Sequence, residues 1–371
     1  MYERVTAALG ERPAQISHAE MRQRQHDFCS KIETTSHVAI IPNNPVSIRS
    51  GDTHHRHRFN SYLHYLTGWH GEGGVAVFYH DDDNWKCCLY VQPRDVKQEI
   101  WTGRRPGVEG ALANWPVDET VSRENLEQDL EEKMDRWIFC IPDLDEEVDQ
   151  LVRMNMTRFD ASMHLDDMRV IKSEGEIALM QYSADLAAYS HIEAMRRCFP
   201  GKGEWQMQSI IEGCFLYHKS EWAYPSIVGS GDNATILHYN ENNDVMRDGD
   251  LVLIDAGCEI DGYASDITRT FPVNGKFTDA QRDIYELVLK AQLAGIEACQ
   301  VGAPWSSMHQ ATSEVLAEGL IELGILNCTL EEALGENLDG QYRQFFMHGT
   351  GHFLGLDVHD VGGGRQGDEG P

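Results

Sequence analysis

The run Leu251-Val252-Leu253-Ile254 ends in Asp255, and Asp266 follows eleven positions later. An apolar, partly β-branched run that ends in an aspartate reads as a buried strand carrying a carboxylate to its end. The stretch Tyr263 to Phe271 is short and strand-like as well, so the pattern predicts two carboxylates converging from neighbouring strands. Two ionised carboxylates in an apolar setting repel unless a proton or a metal cation lies between them. Oxygen-rich sites of this kind suit hard or borderline divalent ions. Residue chemistry alone therefore makes this pair a candidate metal site.

At 371 residues the chain has room for two domains. Its 60 acidic residues against 31 basic ones give a formal charge of -29. That balance excludes nucleic acid and anionic membrane as partners, because both require cationic patches. It reads instead as a solubilising surface. The nine cysteines include no C-x-x-C pair, so neither a zinc knuckle nor a redox motif is indicated. Scattered free thiols fit a reducing cytoplasm. The amino terminus, MYERVTAALGERPAQ, has no apolar signal core. No stretch approaches the roughly 18–20 apolar residues of a membrane helix. A soluble cytoplasmic protein is expected.

Periodicity predicts an α/β domain over residues 1–168 and a second domain over 169–371. In the first, His18 to Ile32 has helical spacing, and His37 to Pro42 is a strand stopped by proline. Tyr62 to Trp69 reads as a turn. Gly73 to His80, Trp85 to Gln92 and Arg136 to Pro142 read as further strands. The acidic runs at Asp81 to Asp83 and Glu127 to Asp135 read as solvated loops or helix faces. In the second domain, Ser173-x-x-Glu176 has the form of a capping box opening a long helix that Pro200-Gly201 ends. A helix from Glu204 to Lys219 follows, then Tyr224 to Val228, a glycine-rich turn at Gly229-Ser230-Gly231, and Ile236 to Tyr239. Helices are predicted over Thr278 to Gln300 and Ser306 to Leu323.

His348, His352 and His359 lie within twelve positions, among glycines and apolar residues. Neutral imidazole is a common metal ligand and can donate a hydrogen bond to a developing oxyanion. The His348-Gly349-Thr350-Gly351-His352 pattern is not the H-E-x-x-H of zinc proteases. Its weight comes from being combined with Asp255 and Asp266.

The segments Asp248 to Phe271 and Met347 to Gly362 closely resemble the M24 metallopeptidases of the pita-bread fold, and most of all the aminopeptidase P (Xaa-Pro aminopeptidase) family. Ser226 to Gly231, Ile236 to Tyr239 and Arg169 to Ser173 match in the expected order. Arg58 to Gly68 and Glu99 to Arg105 resemble the amino-terminal domain of the same enzymes. The resemblance implies an α+β architecture in two domains: an N-terminal creatinase/aminopeptidase P-type α/β domain and a C-terminal pita-bread catalytic domain. It implies two divalent metal ions, usually Mn(2+), that supply hydroxide near neutral pH to attack the carbonyl of an N-terminal Xaa-Pro bond. Asp255 would bind one ion, Asp266 would bridge both, and His352 would bind the other. His359, His238 and His348 would line the substrate site. Trp101 and Arg104 would contact substrate or a neighbouring subunit in a homo-oligomer, a tetramer or dimer. Arg269, three positions past Asp266, reads equally as an ion-pair partner or as support for the site.

The family completes its metal site with two glutamates on strands beyond the histidine motif. Here Glu369 is the only glutamate after Glu336, and its Glu-Gly-Pro setting does not match the family's Glu-Pro-Gly. The sequence thus supplies three of five expected ligands. It is expected to lack the carboxyl-terminal end of the catalytic domain, to bind metal weakly and to be inactive alone. Prolidase, which cuts only Xaa-Pro dipeptides, and a non-catalytic pita-bread binding protein are the alternative readings.

Overall fold

The computed structural model describes residues 1–32, 37–81, 84–131, 137–153 and 158–362. It divides into two compact units, Arg12–Leu179 and Met1–Glu11 with Met180–Pro371.

In the first unit six strands form one sheet among the described residues. Their order is Glu119–Ser122, Asn84–Val91, Val75–Asp81, His37–Pro42, Trp137–Cys140, Arg158–Asp160. Val75–Asp81 runs antiparallel to both neighbours, whereas the other pairings are parallel. A strand buried on both faces loses the polar alternation of a half-exposed one. His37–Pro42 behaves so: each of its six residues is buried. Val38, Ile40, Val75, Val77, Leu126, Ile138 and Leu151 form the core against it. Helix His18–Lys31 begins at Ser17, whose hydroxyl accepts the Glu20 N–H.

Three local readings are corrected. Ser61–Thr67 is a helix rather than a turn. Asn60 accepts the Tyr62 and Leu63 N–H groups at 2.9 and 3.2 Å, and Gly68 closes the helix in the left-handed region. Gly229 and Ser230 belong to the strand Ile227–Ser230, not to a turn. A Cβ on Gly229 would lie 2.8 Å from the Asn233 carbonyl carbon, so the glycine serves a close backbone approach. Tyr263 to Phe271 is two strands, Tyr263–Ala264 and Thr268–Pro272, in different sheets. Arg136, Asp82, Asp83, residues 132–135 and the tail from 363, with Glu369, lie outside the described residues.

In the second unit the capping box forms as its sequence predicts. The Ser173 N–H donates to Glu176 Oε2 at 2.8 Å, and the Glu176 N–H donates to Ser173 Oγ at 3.2 Å. Helix Glu174–Met195 follows. Leu251–Asp255 is the central strand between Ile227–Ser230 and Thr268–Pro272, antiparallel to both. A second small sheet joins Tyr263–Ala264, Cys258–Ile260 and Glu221–Trp222. Helices Asp279–Ala298 and Ser306–Glu322 pack over Leu287, Ala291, Leu316, Ala317 and Leu320. Each buried leucine there contributes on the order of 2 kcal/mol. Among the described residues no helix is long and apolar enough to cross a membrane.

Candidate active site

Alternation along Leu251–Asp255 buries Val252 and Ile254 completely and turns Leu251, Leu253 and Asp255 to the other face. Asp255 is the last residue of the strand and pairs with Thr268 across the sheet. Asp266 is not on a strand. It lies in the link between Tyr263–Ala264 and Thr268–Pro272. Gly257 lets that link approach: a Cβ there would stand 1.7 Å from the Ser265 carbonyl oxygen. The Ala256 N–H donates to the Ile267 carbonyl at 3.1 Å, and the Ser265 N–H donates to the Cys258 carbonyl at 2.8 Å.

The two carboxylates meet at Tyr224. Its hydroxyl lies 2.5 Å from Asp255 Oδ1 and 2.9 Å from Asp266 Oδ1. A single phenol proton serves one carboxylate fully at a time. Burial, and after it the two carboxylates, raise the Tyr224 hydroxyl far above its ordinary range. Burial likewise raises Asp255, with the Asp266 charge adding to it. Burial also raises Asp266, but hydrogen bonds from His352 and Tyr224 outweigh it and leave this carboxyl low. The site thus has one carboxylate at ease and one held against charge, the condition that a cation relieves.

His352 supplies the nitrogen. Its Nε2 lies 3.1 Å from Asp266 Oδ2 and its Nδ1 lies 2.8 Å from the Phe353 carbonyl. A carbonyl only accepts, so Nδ1 carries the proton and Nε2 of the neutral ring presents a lone pair to a carboxylate. Either a second proton or a metal cation must stand there. The hydrogen bond to Asp266 raises His352 above its ordinary value, burial opposing it. Fixing Nδ1–H on a carbonyl is also how proteins orient metal-ligating imidazoles. Two carboxylates and an Nε2 lone pair are a donor set suited to a divalent cation. Among the described residues, no three His, Cys, Asp or Glu side chains close on one point as a finished cage. Tyr224 stands between the aspartates instead.

The histidine cluster is divided. The rings of His352 and His359 stack at 3.9 Å and 21°. Burial, then the charge of His352, lowers His359, and the nearby His238 acts in the same direction. His238 itself is exposed. His348 stands apart from this group. Its Nδ1 donates to the Gly349 carbonyl at 2.6 Å, and its ring meets Phe346 edge-on at 4.8 Å. Trp101, 85% exposed, and Arg104, also exposed, belong to the other unit. Arg269 is exposed and donates to the Thr268 carbonyl at 2.7 Å.

Two residues near the carboxylates had no sequence signal. Tyr224 is a lone tyrosine at the edge of a strand-like run. His191, 2% exposed on helix Glu174–Met195, places Nε2 3.1 Å from the carbonyl of Ala256, the neighbour of Asp255. Burial lowers its pKa.

Comparison with known proteins shows the family. The pattern of Metallopeptidase family M24 matches residues 178–370, and that of the Aminopeptidase P N-terminal domain matches residues 21–137. The chain is 42% identical over 324 residues to the Xaa-Pro aminopeptidase of Haemophilus influenzae, covering 85% of this chain and 74% of that protein. It is 37% identical over 371 residues to that of Escherichia coli, covering 94% and 82%. A zinc-substituted E. coli aminopeptidase P in complex with product superposes with a TM-score of 0.89 at 36% identity, over 94% of this chain and 83% of that one. Pseudomonas aeruginosa aminopeptidase PepP gives 0.88 at 34% identity, over 96% and 84%. The matched patterns and the shared fold define a two-domain M24 metallopeptidase. Within that class the chain belongs to the aminopeptidase P, or Xaa-Pro aminopeptidase, family.

Proposed function

We propose that this chain is built to release the N-terminal residue from peptides with proline in second position, using divalent metal ions held by Asp255, Asp266 and His352. The observation that carries this reading is the continuous chain Asp255–Tyr224–Asp266–His352, with a raised carboxyl at one end and an imidazole Nε2 set against a carboxylate at the other. When bound, two divalent cations, manganese in our reading, would supply hydroxide near neutral pH and countercharge for an oxyanion. Asp255 would hold one ion, Asp266 both and His352 the second. Asp266 keeps His352 in register through the 3.1 Å contact. His359 stacks on His352 and presents an imidazole of lowered pKa, suited to donating one hydrogen bond while neutral. His359 and His238 take the scissile carbonyl and the proline side, and His348 lines the substrate site further out.

The donor set that the family resemblance implies has five members, and Asp255, Asp266 and His352 are three of them. The functional division of the chain is 1–168 and 169–371. Trp101 and Arg104 meet substrate or a neighbouring subunit of a homo-tetramer or dimer. The nine cysteines are free thiols, which supports a cytoplasmic location.

The test is hydrolysis of Ala-Pro-Ala and of Ala-Pro by the purified protein in excess manganese. Alanine released from the tripeptide, and lost in Asp266→Asn, supports the proposal. Cleavage of the dipeptide alone points to prolidase. Saturable peptide binding with neither peptide cleaved points to a binding protein.

A further inference from the structure

Glu204 opens helix Glu204–Tyr217 and is completely buried. Two buried carboxylate oxygens are unfavourable unless donors surround them. Here the donors come from one segment of chain. Glu204 Oε1 accepts the Ser230 N–H at 2.7 Å and the Ser230 hydroxyl at 2.9 Å, with Asn233 Nδ2 at 3.3 Å. Oε2 accepts the Asp244 N–H at 3.0 Å and lies 3.0 Å from the Tyr239 hydroxyl. In return the Glu204 N–H donates to the Asp244 carbonyl at 2.9 Å.

The contacts thus reach both ends and the middle of residues 230–244, the segment that carries His238 immediately before Tyr239. Asn242, in the left-handed region at φ 49°, fastens the same segment to the sheet through the Val228 N–H at 2.8 Å and the Ser226 carbonyl at 2.8 Å. A single buried carboxyl group met by five donors therefore selects one conformation of the segment.

We propose that Glu204 is a positioning residue for the reaction: by gathering residues 230, 233, 239 and 244 it sets the backbone that aims His238 at the site of Asp255, Asp266 and His359. The inference rests on the reading of His238 given under Proposed function. Glu204 touches no reacting atom in this account. A helix-capping role alone would need no bond to Tyr239 or Asn233.

The test compares Glu204→Gln, His238→Ala and the double variant in the full chain. The isosteric amide sets an NH2 group against N–H donors, so amide hydrogen exchange across 231–244 should accelerate roughly tenfold or more, with strands 251–255 and 268–272 unchanged. The His238 ring-proton resonances should shift while those of His348 stay in place. In excess manganese, kcat/KM for Ala-Pro-Ala should fall roughly tenfold in Glu204→Gln and no further when His238→Ala is added. Uniform acceleration of exchange, an unmoved His238 signal, or losses that multiply in the double variant would overturn the inference while leaving His238 in the site. An unchanged kcat/KM in His238→Ala alone would remove His238 from the site and the inference with it. If Glu204→Gln does not fold, Tyr239→Phe removes one of the five donors and should show the same pattern at smaller size.

Discussion

Asp266 Oδ2 lies 3.1 Å from His352 Nε2, although 86 residues separate the two in sequence. The contact joins the link before Thr268–Pro272 to the histidine-rich segment and leaves one proton or one cation to hold them together. In the metal-free protein the proton does so, and His352 is raised above its ordinary 6.5. A raised imidazole contributes stability below its unfolded pKa and loses it as pH rises through the folded value. By NMR titration the His352 midpoint should therefore lie above 6.5 and fall in Asp266→Asn. A midpoint unmoved by that substitution would show the pair to be uncoupled.

Tyr224 is the second tie between the carboxylates. Tyr224→Phe keeps the ring and removes the shared hydroxyl, leaving Asp255 and Asp266 to repel. Thermal unfolding of the metal-free variant should show a loss of about 1 kcal/mol. Manganese should restore most of it, because a cation replaces the missing proton. A variant equally destabilised with and without manganese would contradict this account of the tyrosine.

Gly257 is where the link carrying Asp266 comes closest to the backbone that follows Asp255. Its Cβ would overlap the Ser265 carbonyl, and the atoms it would meet are backbone, which has little room to give. Gly257→Ala should destabilise by about 3 kcal/mol or more, measured by urea unfolding. Gly249, with open space around its Cβ position but a φ of 89°, is the control and should respond less.

How much of this was legible in the sequence depended on distance along the chain. The Ser173–Glu176 box and the apolar strand ending at Asp255 are local patterns, and they form where the residues place them. Helix Ser61–Thr67 escaped because its seven residues are too few to show a period, and its evidence sits in the flanking Asn60 and Gly68. Gly229 misled because glycine marks both turns and close approaches, and only the fold brings Asn233 against it. Tyr224 carried no motif. Its part comes from lying 31 and 42 residues from the two aspartates it joins.

The amino-terminal helix Tyr2–Ala8 is held to its unit by charge and stacking. Arg4 pairs with Glu193 at 2.9 Å, and the Tyr2 and Tyr217 rings stack at 4.5 Å. Arg4, with Arg196 and Arg197, holds the buried Glu193 down to about 2 from its ordinary 4.5. A depressed carboxylate contributes stability above its unfolded pKa and loses it as pH falls through the folded one. That contribution should be complete above pH 4.5 and disappear towards pH 2. Glu193→Gln should cost about 2 kcal/mol at pH 7 and little at pH 2, read from denaturant midpoints at the two pH values. An equal cost at both would assign the effect to packing.

The most direct measurement is calorimetric titration of manganese into the purified chain and into Asp266→Asn. Saturable binding to the first, weakened roughly tenfold or more in the second, is the predicted result. No saturable binding to the unaltered chain, or identical isotherms for both proteins, would contradict a metal centre built on Asp255, Asp266 and His352.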